Sequence, residues 1–156
     1  MAGKLSGEIK QSKPFVSKET EAFLNLVRTA ESLSREVANL LGAHWLTATQ
    51  YNVLRILRGA GDDGLSSCEI AARMISAEPD VPRLLARMEN LGYIRRTRDS
   101  QDRRYVTTRI TPRALKLLEN LDEPVNDLHR RQFSALPAAQ LGELIEMLEE
   151  LRKGEE

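Results

Sequence analysis

The chain has 156 residues, 41% apolar and 29% charged, which suffices for one domain with its own core or a small domain flanked by dimerising arms. No apolar run approaches the roughly 20 residues of a membrane span, no apolar stretch follows the N-terminal lysines as in a secretory leader, and a single cysteine, Cys68, excludes an internal disulfide framework. The expected compartment is therefore the cytoplasm, and 23 basic residues balanced by 23 acids give a net charge that by itself points away from nucleic acid.

In chain order, residues 1–16 (MAGKLSGEIKQSKPFV) lack periodicity and read as a flexible arm. From Ser17, apolar residues at Phe23, Leu26, Val27, Ala30, Leu33, Val37, Leu40 and Leu41 recur at helical spacing, with Gly42 just past the expected end, so residues 17–42 form the first long helix. Thr47-x-x-Gln50 is a capping box flanked by the staple pair Leu46 and Tyr51. It opens a second helix through Val53, Leu54 and Leu57, which Gly59, Gly61 and Gly64 end. Ser66-x-x-Glu69, with Leu65 and Ile70, opens a short third helix in the same way. Val81, Leu84, Leu85, Met88 and Leu91 mark a fourth, stopped by Gly92.

The period then changes. Residues 93–98 and 104–111 are β-rich, with Val106, Thr108 and Ile110 on one face, and the polar "DSQD" between them makes the pair a hairpin. Thr111-Pro112 supplies an N-cap and a first-turn proline for a fifth helix through Leu115, Leu118, Leu121, Val125 and Leu128, which Pro124 must kink or split. Pro137 starts the last helix, with Leu141, Leu144, Ile145, Leu148 and Leu151. The fold class is mainly α with a small β-hairpin.

Charge is unevenly distributed along this frame. Residues 83–109 hold eight arginines and three acids, whereas residues 112–156 hold six basic residues and ten acids. A charge run is ordinarily a solvated face, but every cation of the central run is arginine, whose planar fork suits phosphate and guanine. Helix, tight junction, helix and arginine-rich hairpin is the order of a winged helix-turn-helix. The fourth helix, with one side buried, turns Pro79, Arg83, Ala86 and Asn90 outward, flanked by Pro82 and Arg87. Small residues allow close approach to base edges, and Arg83 and Asn90 can hydrogen-bond them or nearby phosphates. The hairpin, carrying Arg96 and Arg98, lays its tip along the adjacent minor groove.

From Leu46 to Leu118 the chain resembles the multiple-antibiotic-resistance-regulator (MarR) family of bacterial transcription factors. "LTATQYNVLRIL", "EIAARM", "RLLARMENLGYIRR" and above all "DSQDRRYVTTRIT" carry the resemblance. It implies a DNA-binding lobe over residues 46–111, with Arg104 as the wing-tip residue in the minor groove, Asp102 orienting an arginine, Arg103 beside it, and Arg83 as the arginine common in the recognition helix. Two features depart from the family pattern. Pro79, Asp80 and Pro82 stand where small hydroxylated residues are usual, and Ala114 replaces a frequent glycine. Proline gives no N–H to a phosphate and costs about 3 kcal/mol inside a helix, so the recognition helix is expected to start late, with a stiffened opening.

The apolar stripes of residues 17–42 and 112–152 either pack within the chain or dimerise. The resemblance favours a homodimer on a pseudo-palindromic operator, acting as a repressor and released by a small aromatic or phenolic effector. Candidate effector contacts are His44, Trp45 and Tyr51, for which ordinary helix-junction packing is the competing reading. Cys68 reads as a small buried hydrophobe. An enzyme is not expected: His44 and His129 lack metal-ligand spacing, and Gly59, Gly61 and Gly64 are not followed by the Lys-Ser/Thr of a phosphate loop. No cofactor or metal is expected. The alternative function, motivated by Glu78, Pro79, Asp80 and Pro82, is a winged-helix module whose recognition surface binds a protein.

Overall fold

A computed structural model describes residues 4–98 and 104–153. Seven helices are present among them: α1 (Lys4–Glu8), α2 (Lys18–Gly42), α3 (Ala48–Ala60), α4 (Ser67–Arg73), α5 (Val81–Asn90), α6 (Pro112–Gln132) and α7 (Ala138–Arg152). Strands β1 (Ile94–Arg98) and β2 (Val106–Ile110) pair antiparallel between α5 and α6. The segment expected to be a flexible arm over residues 1–16 contains the short helix α1 among its described residues. Leu5 is 3% exposed, and Glu8 meets Arg28 of α2 at 2.9 Å. One buried leucine and one exposed ion pair leave no periodic signal in a segment this short.

Local chemistry fixes the helix starts. Ser17 accepts from the Thr20 N–H to begin α2. Both capping boxes close: Thr47 with Gln50 at α3, and Ser66 with Glu69 at α4, each side chain bonding the other's backbone N–H. Their staple residues Leu46, Tyr51, Leu65 and Ile70 are all buried, so each cap also fixes the angle at which the chain joins the core. The Ser66 N–H and hydroxyl on Glu69 hold its carboxyl below the usual carboxylate range.

Two expected boundaries shift. The first long helix runs through Gly42, and the left-handed residue at its end is Trp45 (φ 59°). The Trp45 N–H bonds the Gly42 carbonyl at 3.0 Å, and the Leu46 N–H bonds that of Leu41 at 3.2 Å, which closes the turn without a glycine. Pro124 does not split the fifth helix, and α6 is continuous across it. Leu118, Leu121, Val125 and Leu128 are buried on both sides of the proline, and such burial, worth about 1.5–3 kcal/mol per side chain, outweighs one missing backbone bond.

A single core joins α3, α4, α5, the hairpin and α6. Val53, Leu54, Leu57, Ile70, Leu85, Met88, Leu118 and Leu121 are essentially inaccessible, and Leu41 adds the end of α2. Arg58 of α3 grips Asp122 of α6 with two bonds of 2.8 and 2.9 Å, which holds the Asp122 carboxyl below its ordinary range. The outer helices are different. Leu41 is the only fully buried residue of α2, and α7 has none.

The hairpin is anchored on three sides. Leu65 exchanges two backbone bonds with Thr108 (3.0 and 2.8 Å), adding a one-residue third strand ahead of α4. Gly64 makes this possible. Its φ is +68°, and a Cβ there would lie 2.6 Å from the Thr108 carbonyl oxygen, so no side chain fits. At the base of the hairpin, Thr111 donates from its hydroxyl to the Gly92 carbonyl (2.8 Å) and accepts from the Ala114 N–H (3.3 Å), joining hairpin closure to the N-cap of α6. The third anchor comes from α5.

Candidate nucleic-acid interface

Helix α5 is positioned by its buried face and by both of its ends. Val81, Leu84, Leu85 and Met88 face the core, leaving Pro82, Arg83, Arg87 and Asn90 exposed and Ala86 half-buried. Its C-terminus is a Schellman turn. Gly92 (φ 75°) donates to Glu89 at 2.9 Å, Tyr93 donates to Met88 at 3.0 Å, and the paired side chains Tyr93 and Met88 are both buried. Arg113 stacks on Tyr93 at 5.4 Å and bonds the Leu91 carbonyl, locking this turn from the other side.

The N-terminus resolves the proline problem. Asp80 is the N-cap, and its carboxylate accepts from the Arg83 N–H at 3.0 Å. Pro82 therefore occupies the second helical position, where its missing N–H has no intrahelical partner to lose, and Pro79 lies outside the helix. The late start expected from the sequence is what α5 adopts.

The wing is tied to this helix by Glu89. Because Thr108 spends both backbone groups on Leu65, its cross-strand partner Arg96 turns its own N–H away from β2. Glu89 accepts that N–H at 2.9 Å and the Arg96 guanidinium at 2.8 Å. The backbone bond foremost, then the guanidinium, holds the Glu89 carboxyl below the usual range, against the opposing effect of burial. One carboxylate thus ties the hairpin to the helix.

This arrangement sorts the arginines. Arg83, Arg87, Arg95, Arg98 and Arg104 are exposed. Arg96, expected on the DNA-facing wing, is engaged by Glu89 and serves to pin the hairpin. Arg109 is turned inward to the Asp62 carbonyl (2.7 Å) and Thr97 (3.2 Å). Asp102 and Arg103 lie outside the described residues. Sequence reasoning missed Glu89 because its partner is seven residues away, across a helix end and a strand.

The three candidate effector residues are not brought together. Tyr51 is buried and lines a cavity of about 440 Å³, but His44 and Trp45 do not line it, and Trp45 is 89% exposed at its turn. The cavity instead gathers Asn52 and Arg55 of α3, Ile75 after α4, and His129 of α6. Arg55 donates to the Tyr51 hydroxyl at 3.2 Å, and Asn52 accepts the Ile75 N–H at 3.0 Å. Tyr51, Asn52 and Arg55 share a helical spacing that hints at this face, whereas His129 arrives from far along the chain with no local signal. Cys68, expected to be buried, is exposed. In a helix of seven residues the core side is filled by Ile70, and Cys68 points elsewhere. Among the described residues no group of three or more His, Cys, Asp or Glu side chains could hold a metal, and no helix is long and apolar enough to cross a membrane.

Comparison with known proteins agrees with this geometry. A transcriptional regulator of Methylorubrum extorquens, TtmR, is 34% identical across 70% of this chain and 69% of its own. A MarR transcription factor from Planctomyces limnophilus is 39% identical, with a TM-score of 0.68 over 86% of this chain and 98% of that one. A mutant of the Escherichia coli MarR protein, solved in complex with operator DNA, is 22% identical, with a TM-score of 0.76 over 88% and 98% of the two chains. Residues 46–106, which span α3 through the start of β2, match the MarR family. With the winged helix on a rigid core, an arginine-bearing helix face and these relatives, the chain belongs to the MarR family of transcriptional regulators.

Proposed function

We propose that the chain is a homodimeric repressor that binds a pseudo-palindromic operator, with α5 in the major groove and the hairpin tip in the minor groove. The observation that carries this reading is the exposed arginine set of α5 and the wing, with the wing tied to α5 by the Glu89 clamp. Arg83, Ala86, Arg87 and Asn90 would face base edges and phosphates, and Arg98, Arg103 and Arg104 the flanking backbone and minor groove. Residues 46–111 would be the DNA-binding lobe.

The dimer reading rests on the outer helices. Phe23, Leu26 and Val27 of α2 are 62%, 43% and 49% exposed, and Ile145, Met147 and Leu151 of α7 are 51%, 58% and 69% exposed. Because each is already about half covered, completing its burial would contribute roughly 1–2 kcal/mol, and a second copy presents the same two stripes. Residues 17–42 and 112–152 would then form the dimerisation region and space two recognition helices about one helical turn apart. A small aromatic or phenolic effector would enter the cavity of Tyr51, Arg55 and His129, at the joint between α2, α6 and the DNA-binding lobe.

The test is operator affinity after recovery of the bound duplex from random-sequence DNA. Arg104→Ala is expected to weaken binding while the protein sediments unchanged. Arg83→Ala is expected to cost about 1–3 kcal/mol and to relax preference at one base pair per half-site. Unchanged affinity in both variants would refute the assignment.

A further inference from the structure

The opening turn of α5 is chemically unlike a phosphate site. Helix N-termini ordinarily hold anions with N–H groups that lack intrahelical partners. Here Pro82 has no N–H, the Arg83 N–H is capped by Asp80 at 3.0 Å, and the Asp80 N–H is directed at Glu78 Oε1 at 3.4 Å. Three of the four opening donors are thus removed or used within the turn. The two acids that would repel DNA serve the same purpose, since both are acceptors for their own backbone.

Beside the charged groups of Asp80 and Arg83, this turn offers outward an apolar surface. The rings of Pro79 and Pro82 are exposed, and the half-buried Ala86 follows one turn later. Arg83 and Arg87, both exposed, border them, and Glu78, Pro79, Asp80, Arg83, Leu84 and Arg87 line a groove of about 310 Å³. In the major groove the apolar group on a standard base pair is the 5-methyl of thymine. With the Glu78 and Asp80 carboxylates of the same groove turned to backbone N–H groups, two cationic side chains beside a methyl-sized apolar surface complement a thymine next to a phosphate or guanine contact.

We propose that Pro79 and Pro82 are specificity-determining residues that read thymine methyl groups beside the base pair contacted by Arg83, replacing hydrogen-bonded readout with methyl packing at the start of the recognition helix. This inference rests on the DNA-binding reading above. It predicts a half-site in which one or two thymines matter for their methyl group and not for their hydrogen-bonding edge. Both prolines lie on the surface and outside the core, so they can be exchanged without emptying it.

The experiment uses the full chain and the duplex it selects, with deoxyuridine replacing thymidine one position at a time, which deletes the methyl and keeps the pairing. About a fourfold loss is expected at one or two positions per half-site, the scale of one buried methyl group. About fifteenfold is expected when the symmetric positions of both half-sites are changed together. In a Pro79→Ser/Pro82→Ser protein the thymidine and deoxyuridine duplexes should bind alike, and each single variant should lose part of the difference. Tight binding with no deoxyuridine effect at any position, or an effect undiminished in the double variant, overturns the proposal while leaving DNA binding intact. Failure to bind any duplex at low salt overturns the DNA reading itself and this inference with it.

Discussion

Replacing Glu89 by glutamine should loosen the wing without emptying the core. In the native chain one carboxylate accepts both the Arg96 backbone N–H and its guanidinium, at 2.9 and 2.8 Å. Hydrogen bonds to a charged group contribute roughly 1.5–3 kcal/mol when well shielded. The Arg96 and Glu89 side chains are 29% and 34% exposed, so solvent screening reduces the expected loss to about 1–2 kcal/mol. For a chain of this length that is a fall of about 2–8 °C in Tm. The sign of the pH dependence follows from the depressed Glu89 pKa. Its stabilisation is fully present above the unfolded-state value of about 4.3 and is lost as pH falls through the lower folded value. Urea unfolding of both proteins between pH 7 and pH 3 checks this. The gap should be open at pH 7 and shrink below about pH 4. Equal stability at pH 7, or a gap that stays constant down to pH 3, would refute the clamp.

The other expectations concern backbone and cap. Gly64→Ala forces a left-handed residue and a Cβ 2.6 Å from the Thr108 carbonyl, so it should destabilise by about 2 kcal/mol or more and expose the Leu65–Thr108 bridge to hydrogen exchange. Asp80→Ala removes the cap of α5 and should cost about 0.5–2 kcal/mol, with amide exchange rising first at Arg83 and Leu84. Uniform exchange along α5 would count against that local role.

The sequence made the helix starts legible because each is written in residues three apart, as in Thr47 with Gln50 and Ser66 with Glu69. The late start of α5 could be read for a similar reason, since proline tolerates few helical positions and Asp80 precedes Pro82 by two residues. What escaped was decided across space. Leu65 becomes a strand residue only because Thr108 arrives beside it. Composition likewise cannot reveal that Glu89 faces Arg96, since the two meet across a helix end and a strand. His44 and Trp45 adjoin Tyr51 in sequence, yet the left-handed turn at Trp45 carries them out to solvent while α6 delivers His129 to the cavity instead. Of the two outcomes open at Pro124, a split does not occur, because the cost of one missing N–H is local and the burial that opposes it is spread along α6.

The most direct test of DNA binding by this surface is the salt dependence of duplex binding by the intact protein. Each phosphate neutralised by arginine releases counterion, and about 6–10 such contacts lower affinity by roughly 10³–10⁵ between 50 and 200 mM salt. On the proposed two-fold dimer, Arg83, Arg87, Arg98 and Arg104 of both copies would supply about eight such contacts, within that range. A fall of about ten-thousandfold between 50 and 200 mM salt is expected. Absence of binding at 50 mM salt by the folded protein, or a change below about tenfold across the range, would contradict DNA binding through these arginines.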